Sequence, residues 1–574
     1  MKKTIAATIC GLFILISVFI LKINDITINS INESLRANPP ASGVETIYRR
    51  RTRSGDISYS NITPRILSDS NETERVVETI NVRGILDATN NELPEEIIDT
   101  CEVKKIGVNV DFFNYYSAEM PLKDLAKMSM GWIRAWGSIM EDIPLDLDSD
   151  GYLKTVDSGG AQTIISDDNW GRALSDNKYV VLYDGEGELG FNLTDTKIIK
   201  EEPGRIEIEL GQGRAGMIQT STNPTNYLRN IRIVPLENED DYEEIIIREK
   251  YKNVWQGARV IRYLNAQGIN NSKEVEWSNR QKRTTFGAEK GQSLEDIVQM
   301  SNETNTNPWL LVPHLANDNY ITEMAIYVRD HLNSDLKVYL EYTNEAWNGQ
   351  FSQSRYLQKL ADESGGMLVS EYGKKAKKLF EIWTTTFGGS SRLVKVIGSQ
   401  KSNAWVSEQI LKTTGLAALV DALAVTGYIG IPEEKFEAIL SMSDAEVFSY
   451  LTNDVLPLSK DRLIQHKQIA DEYNLELIAY EAGQHLAPVY GWTENEDLVN
   501  RLISLNRSPL MYQLYMDIYK QWTDIGGGLL VWFQTSYRPS KWGSWGLLEN
   551  TSQDPQYAPK YQAYKEILMN NGCY

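Results

Sequence analysis

The sequence predicts an α/β protein of repeated strand–helix units, interrupted once by an antiparallel insertion. Three observations carry this. Short apolar, β-prone runs recur at Ile106–Asp111, Trp309–His314, Val338–Tyr342, Leu393–Ile397 and Leu475–Tyr480, the pattern of strands buried on both faces. Helix-like segments lie between them, at about residues 241–252, then Leu294–Met300, Met324–Leu332 and Met511–Trp522. Residues 143 to about 236 break that rhythm. There Tyr179–Tyr183, Arg205–Leu210 and Asn230–Val234 alternate in polarity, and Gly and Asp residues such as Asp184 and Gly185 supply turns, which reads as an antiparallel β-sandwich.

At 574 residues the chain is long for one domain. Its 58 basic and 78 acidic residues give a net charge of −20, a surface that repels nucleic-acid phosphates and anionic headgroups. It therefore argues against a nucleic-acid partner and suits a neutral or cationic glycan, although a local basic cleft would take an acidic one. Fourteen Trp and 30 Tyr fit both a large core and a ring-lined cleft.

In order, Thr4–Leu21 is an uncharged apolar run behind Lys2 and Lys3, just long enough to cross a bilayer. It ends Phe19-Ile20-Leu21-Lys22 with no small-residue cleavage site, so residues 1–22 read as an uncleaved signal anchor rather than a cleaved signal peptide. The chain beyond is then extracytoplasmic, held at the membrane or, if cleavage occurs, secreted. Residues 23–100 are polar, with Pro39-Pro40 and a basic knot at Arg49, Arg50, Arg51 and Arg53; no helical or strand period persists, and they read as a spacer. Ile106–Asp111 is the first strand of the repeating part, and Asn109 or Asp111 can reach a cleft floor from it. Phe112, Phe113, Tyr115 and Tyr116 follow as a candidate wall, and Pro121 opens a helix-like segment. At the start of the insertion, Asp146, Asp148 and Asp150 alternate ahead of Gly151, with Asp157 at the twelfth position. That matches the start of a calcium loop, but Pro144 precedes it and no helix pair flanks it, so an acidic turn is the simpler account.

The chemistry concentrates at two strand ends. Val338–Tyr342 breaks into Thr343-Asn344-Glu345-Ala346-Trp347-Asn348, which places a carboxylate, amides and an indole together. A sugar site needs these groups for proton transfer, hydroxyl recognition and stacking. Taken alone, Glu345 reads as a cap on the next helix. A second carboxylate changes the balance: Leu475–Tyr480 ends in Glu481-Ala482-Gly483-Gln484-His485, where Gly483 would let the backbone turn sharply past the carboxylate. Two glutamates at the ends of two buried strands are the pattern of a glycosidase.

These motifs resemble clan A of the retaining glycoside hydrolases, a (β/α)8 TIM-barrel group. More narrowly, residues 341–351 and 479–486 resemble a set of secreted barrel proteins often labelled cellulose-binding-domain proteins. The resemblance covers roughly residues 105 to 570. It implies a barrel over 101–142 and 237–574, with the sandwich of 143–236 inserted after the first strand on the active-site side. It also implies Glu345 as acid/base and Glu481 as nucleophile. Arg262, ending a second strand Val260–Arg262, would hold Glu481; Tyr428, on a sixth strand Ala424–Tyr428, would orient it. Trp532, ending an eighth strand Leu529–Trp532, would floor a subsite with Trp347, and Asn344 would hold a sugar hydroxyl. His314, Asn109 and His485 are further candidates for the cleft, and Trp542 and Trp545 offer rings at its rim. Where the narrower set carries an Asp and a Trp, this chain has Asn265 and Ala266, one carboxylate and one ring fewer.

Because a barrel's first strand begins and its last helix ends at the same face, a Cys101–Cys573 disulfide is expected in an exported protein, two free thiols being the alternative. The function implied is retaining hydrolysis of a poly- or oligosaccharide without a cofactor. The rivals are a non-catalytic glycan-binding or adhesion protein on a degenerate barrel and, less well matched, a polysaccharide lyase.

Overall fold

The computed structural model describes residues 106–135, 144–167 and 177–571, together with the backbone of three strands, Thr46–Arg51, Ile57–Ser60 and Arg75–Asn81. The expected signal anchor at 1–22, Cys101 and Cys573 all lie outside the described residues. Among those described, no helix is long and apolar enough to cross a membrane.

The chain divides into two compact units, Met1–Glu102 and Val103–Tyr574. Within the first, the three strands pair antiparallel, with Thr46–Arg51 in the centre. The sequence of 23–100, read as a spacer, shows no strand period that announces them. The β-prone residues there, Ile47, Tyr48, Ile57, Tyr59, Val76 and Val77, come in runs too short and too diluted by polar neighbours to show a period.

The second unit is built on a closed ring of eight parallel strands. In order they are Ile106–Asn109, Val260–Arg262, Asn307–Val312, Val338–Tyr342, Leu393–Gly398, Ala422–Gly430, Glu476–His485 and Leu530–Trp532. The last pairs with the first, Leu530 opposite Ile106, so the sheet has no free edge. This is the (β/α)8 barrel that the motif resemblance implied. Alternate side chains of each strand fill the ring: Val260, Trp309, Leu311, Val396, Ala422, Ala424, Ile478, Leu529 and Val531 form one buried interior cluster. The intervening side chains face the surrounding helices.

Those helices follow the expected rhythm with sharper ends. Leu294–Thr304 starts at Ser293, whose side chain accepts from the Asp296 N–H, and Asp318–His331 starts at Asn317, which caps Tyr320 in the same way. Leu510–Asp524 matches the helix expected before the eighth strand. The helix expected over 241–252 forms only as Glu249–Trp255, and the segment after Pro121 makes a single 3-10 turn, Leu125–Lys127. Among the described residues, Glu249–Trp255 is the α-helix between the first and second strands, and the insertion lies between the first strand and that helix.

The insertion consists of two four-stranded antiparallel sheets. Across one the order is Arg229–Pro235, Lys178–Asp184, Arg205–Glu209, Lys197–Glu202. Across the other it is Ile133–Arg134, Ala161–Ser166, Ala215–Thr222, Gly187–Asn192. It begins at Ile133, earlier than the expected 143, because a two-residue strand leaves no alternation to read. Where the strands are longer the alternation is plain: Ile206 and Ile208 are buried, whereas Arg205 and Glu207 lie outward and pair at 2.6 Å.

Candidate active site

The alternation that fills the ring puts Asn109, Arg262 and Glu341 inward at the upper ends of the first, second and fourth strands, one step beyond the apolar layer. All three are buried, Arg262 at 0 % exposure and Glu341 at 1 %. A buried guanidinium must satisfy its donors, and this one does. Arg262 Nη1 donates to Glu481 Oε1 at 2.9 Å and to Asn109 Oδ1 at 3.3 Å. Its Nη2 donates to Glu341 Oε2 at 3.0 Å and Asn344 Oδ1 at 2.9 Å, and its Nε to Glu341 Oε2 at 3.3 Å. The guanidinium carbon lies 5.3 Å from the Trp309 ring centre and 5.0 Å from that of Tyr480. Trp309 Nε1 also donates to Glu341 Oε2, at 2.9 Å. Gly398, on the fifth strand, leaves the room this needs, since a Cβ there would sit 3.0 Å from Glu341 Oε1.

Above this layer the two predicted glutamates are delivered by irregular backbone. Past Tyr342, Thr343 has φ 51° and Glu345 φ 41°, left-handed values that cost non-glycine residues on the order of 1–3 kcal/mol each. They lift Glu345 out of the strand path. On the seventh strand Ala479 lies opposite Val425 but Glu481 lies opposite Thr426, so Tyr480 is an extra residue, a bulge. The bulge is why Tyr480 and Glu481, neighbours in sequence, both face the same cavity. Gly483 does not turn the chain, as expected from its sequence context; the strand continues to His485, and Gly483 (φ 128°) instead makes room for the Tyr515 hydroxyl, which would lie 2.7 Å from a Cβ there.

Glu345 accepts from the Tyr480 hydroxyl at 3.0 Å and from Asn348 Nδ2 at 2.8 Å. Glu481 accepts from Arg262 and, at 3.1 Å, from the Tyr428 hydroxyl. Both glutamates line a cavity of about 920 Å³ together with Trp347, Tyr428, Tyr480, Phe533 and Trp545. Burial is the largest influence on the Glu481 carboxyl and raises it to about 7; Arg262 pulls it down, and the charge of Glu345 pushes it further up. Arg262 does hold Glu481, as expected, but burial outweighs its pull on the proton. The single charge of Arg262 is shared with Glu341, whose carboxyl is likewise raised by burial.

The predicted residues thus sort by position. Glu345, Glu481, Trp347, Tyr428 and His485 meet in the cavity. The His485 ring is edge-on to Trp545, centroids 4.9 Å apart, and Trp545 and Phe533 pack on Tyr428 to complete an aromatic wall. Arg262, Asn109 and Asn344 lie beneath it, joined by hydrogen bonds. Asn109 Nδ2 donates to the Tyr480 carbonyl at 2.9 Å, and Asn344 Nδ2 donates to Asn270 Oδ1 at 3.2 Å.

Two candidates are misplaced by one position of strand alternation. Leu529 and Val531 point inward, so Trp532 points outward, stacked on Tyr515 with centroids 4.9 Å apart, and Phe533 is the residue that reaches the cavity. Likewise Leu311 is inward, so His314 falls on the outer side, edge-on to Tyr356, where burial lowers its pKa to about 4. Residues that sequence reasoning missed are Glu341, Tyr480, Phe533, Lys401 and Arg462. Only Glu341 had a signal, as an acid inside an apolar strand two strands from a predicted Arg.

The aspartates of the calcium reading each have a local partner. Asp146 pairs with Lys154 at 2.7 Å, Asp157 with Arg134, and Asp148 accepts from the Asp150 and Tyr152 N–H groups and from the Tyr227 hydroxyl. Among the described residues, no group of three or more His, Cys, Asp or Glu is arranged to hold a metal ion.

No protein-family model matches the chain, and neither does any curated protein. Several solved structures are similar to it. A 4-O-alpha-L-rhamnosyl-beta-D-glucuronidase from Fusarium oxysporum 12S is 12% identical with a TM-score of 0.34; the match covers 55% of this chain and 63% of that one, less than two thirds of its length. Xylanase 10B from Thermotoga maritima is 13% identical with a TM-score of 0.32, covering 56% and 90%. A Bacteroidetes-affiliated GH5 cellulase is 10% identical with a TM-score of 0.35, covering 56% and 85%. The eight parallel strands of this chain, closed first to last, form a (β/α)8 barrel.

Proposed function

We propose that the protein is a glycoside hydrolase that cleaves a poly- or oligosaccharide by double displacement. One observation carries the reading: Glu345 and Glu481, from the fourth and seventh strand ends, line one ring-walled cavity with different hydrogen-bond partners. Glu481 attacks the anomeric carbon. Glu345 gives its proton to the leaving glycosidic oxygen and then takes one from the water that releases the sugar. Tyr428 and Arg262 hold the Glu481 oxygens, and Trp347, Phe533 and Trp545 offer faces for sugar C–H groups.

Only ionised Glu481 is a nucleophile, and in the free protein it loses its proton at about 7. Therefore kcat/KM is expected to rise with pH up to about 7. The test is reducing-sugar release from a panel of neutral, uronate-bearing and sulfated oligosaccharides, measured across pH. Turnover of at least one member with that acid limb supports the proposal. A glycan that is retained by the folded protein and never cleaved at any pH contradicts it, and identifies a binding protein on an inactive barrel.

A further inference from the structure

The cavity holds a second pair of charges that the hydrolytic roles do not use. Lys401, just past the fifth strand, and Arg462, on the helix Leu456–Glu472, both line it. Ion pairs are common on this acidic protein of net charge −20, yet among the described residues neither cation lies within 4 Å of a carboxylate. Lys401 Nζ donates to the Tyr428 carbonyl and, at 3.3 Å, to Ser459 Oγ. Both acceptors are neutral, and an ammonium has three donors, so one donor and the whole charge stay uncompensated. Arg462 is exposed at the cavity and has no hydrogen bond to protein among the described residues.

Their placement works against protein stability. Burial, reinforced by Arg462, lowers the Lys401 ammonium to about 8. Two like charges held together without a counter-ion are unfavourable until an anion joins them. The catalytic carboxylates do not fill that role: Glu481 is bonded to Arg262 and Tyr428, and Glu345 to Tyr480 and Asn348. Tyr428 links the two halves of the cavity, its hydroxyl on Glu481 and its carbonyl on Lys401. A sugar seated against Glu481 therefore extends toward Lys401 and Arg462.

We infer that this cavity takes a glycan whose sugar beside the scissile bond carries an anionic group, a carboxylate or a sulfate ester, bound by Lys401 and Arg462. The inference deepens the proposed hydrolytic function and rests on it for the position of the scissile bond. The overall acidic charge would disfavour such a ligand at long range, which makes a local pair of cations the necessary device.

The test measures binding, not turnover, on the full chain carrying Glu481→Gln. Isothermal titration compares oligosaccharides of one backbone that are uronate-bearing, carboxyl-reduced or sulfated. At least one anionic form is expected to bind about tenfold more tightly than the neutral one, with an advantage that shrinks at high salt. Arg462→Met, an exposed substitution that should fold normally, is expected to remove most of that advantage, and Arg462→Lys to restore part of it. Which anionic form binds distinguishes carboxylate from sulfate. Equal binding of anionic and neutral forms overturns the inference, as does an anionic preference that Arg462→Met together with Lys401→Met leaves intact. Tight anionic binding with no cleavage by the unsubstituted protein upholds the anion site and contradicts the hydrolase reading. Cleavage of neutral glycans without anionic preference does the reverse.

Discussion

Glu481→Gln is expected to lower kcat by about a thousandfold or more while leaving oligosaccharide binding within a few-fold. The amide keeps the size of the carboxylate and an oxygen for Arg262, but it has no charge to attack an anomeric carbon. The variant also has a stability signature. The folded Glu481 carboxyl stands at about 7, above the 4.5 of an ordinary glutamate. The folded state therefore binds the proton more tightly, and stability from this group is present below about 4.5 and lost as pH rises to about 7. A neutral amide escapes that loss, so above pH 7 the variant should be the more stable protein, by on the order of 3 kcal/mol at most. Denaturant titrations at pH 5 and pH 8 read the difference. Glu345→Gln should be as damaging with natural glycans but much less so with activated aryl glycosides, whose leaving groups need no proton. Full activity of Glu481→Gln with any glycan would remove it as nucleophile.

Arg262→Met is expected to destabilise the barrel by about 3–5 kcal/mol at neutral pH, as found when one partner of a buried pair is deleted. The side chain volume is nearly kept, but Glu341 and Glu481 are left facing each other without a cation, and the contacts to Trp309 and Tyr480 are lost. Arg262→Lys should rescue little, because three donors cannot replace five bonds to four partners in a fixed plane. The deficit has a pH dependence that mere loss of packing would lack. As pH falls and the two carboxyls protonate, the uncompensated charge disappears and the gap to the unsubstituted protein narrows. A deficit that is small, or independent of pH between 5 and 8, would contradict this account of the layer.

The strands were readable because strands buried on both faces are compact apolar runs, whereas their closure into a barrel came from the resemblance carried by the polar ends at Glu345 and Glu481. What failed to show has physical causes. A strand of two or three residues, such as Ile133–Arg134 or Leu530–Trp532, is too short to reveal which face is inward, and one step of error exchanged Trp532 for Phe533. The bulge at Tyr480 breaks the period of two, so no alternation rule would have placed Tyr480 beside Glu481. Lys401 and Arg462 lie on a loop and a helix, brought to the cavity by tertiary packing alone. The positive φ of Thr343 and Glu345 runs against their intrinsic preference, as strain at a functional strand end does. Arg262 was found, but its partner Glu341 was not, because an alternating strand is expected to carry polar residues on the outside.

The account turns on Glu345 and Glu481 acting in succession on one anomeric centre. Proton NMR of the first product formed from a defined oligosaccharide, recorded before the anomers equilibrate, tests this most directly. Two displacements predict that the product first appears with the anomeric configuration of the substrate. A first product of opposite configuration would mean a single displacement by water and would contradict the assignment of Glu481 as nucleophile.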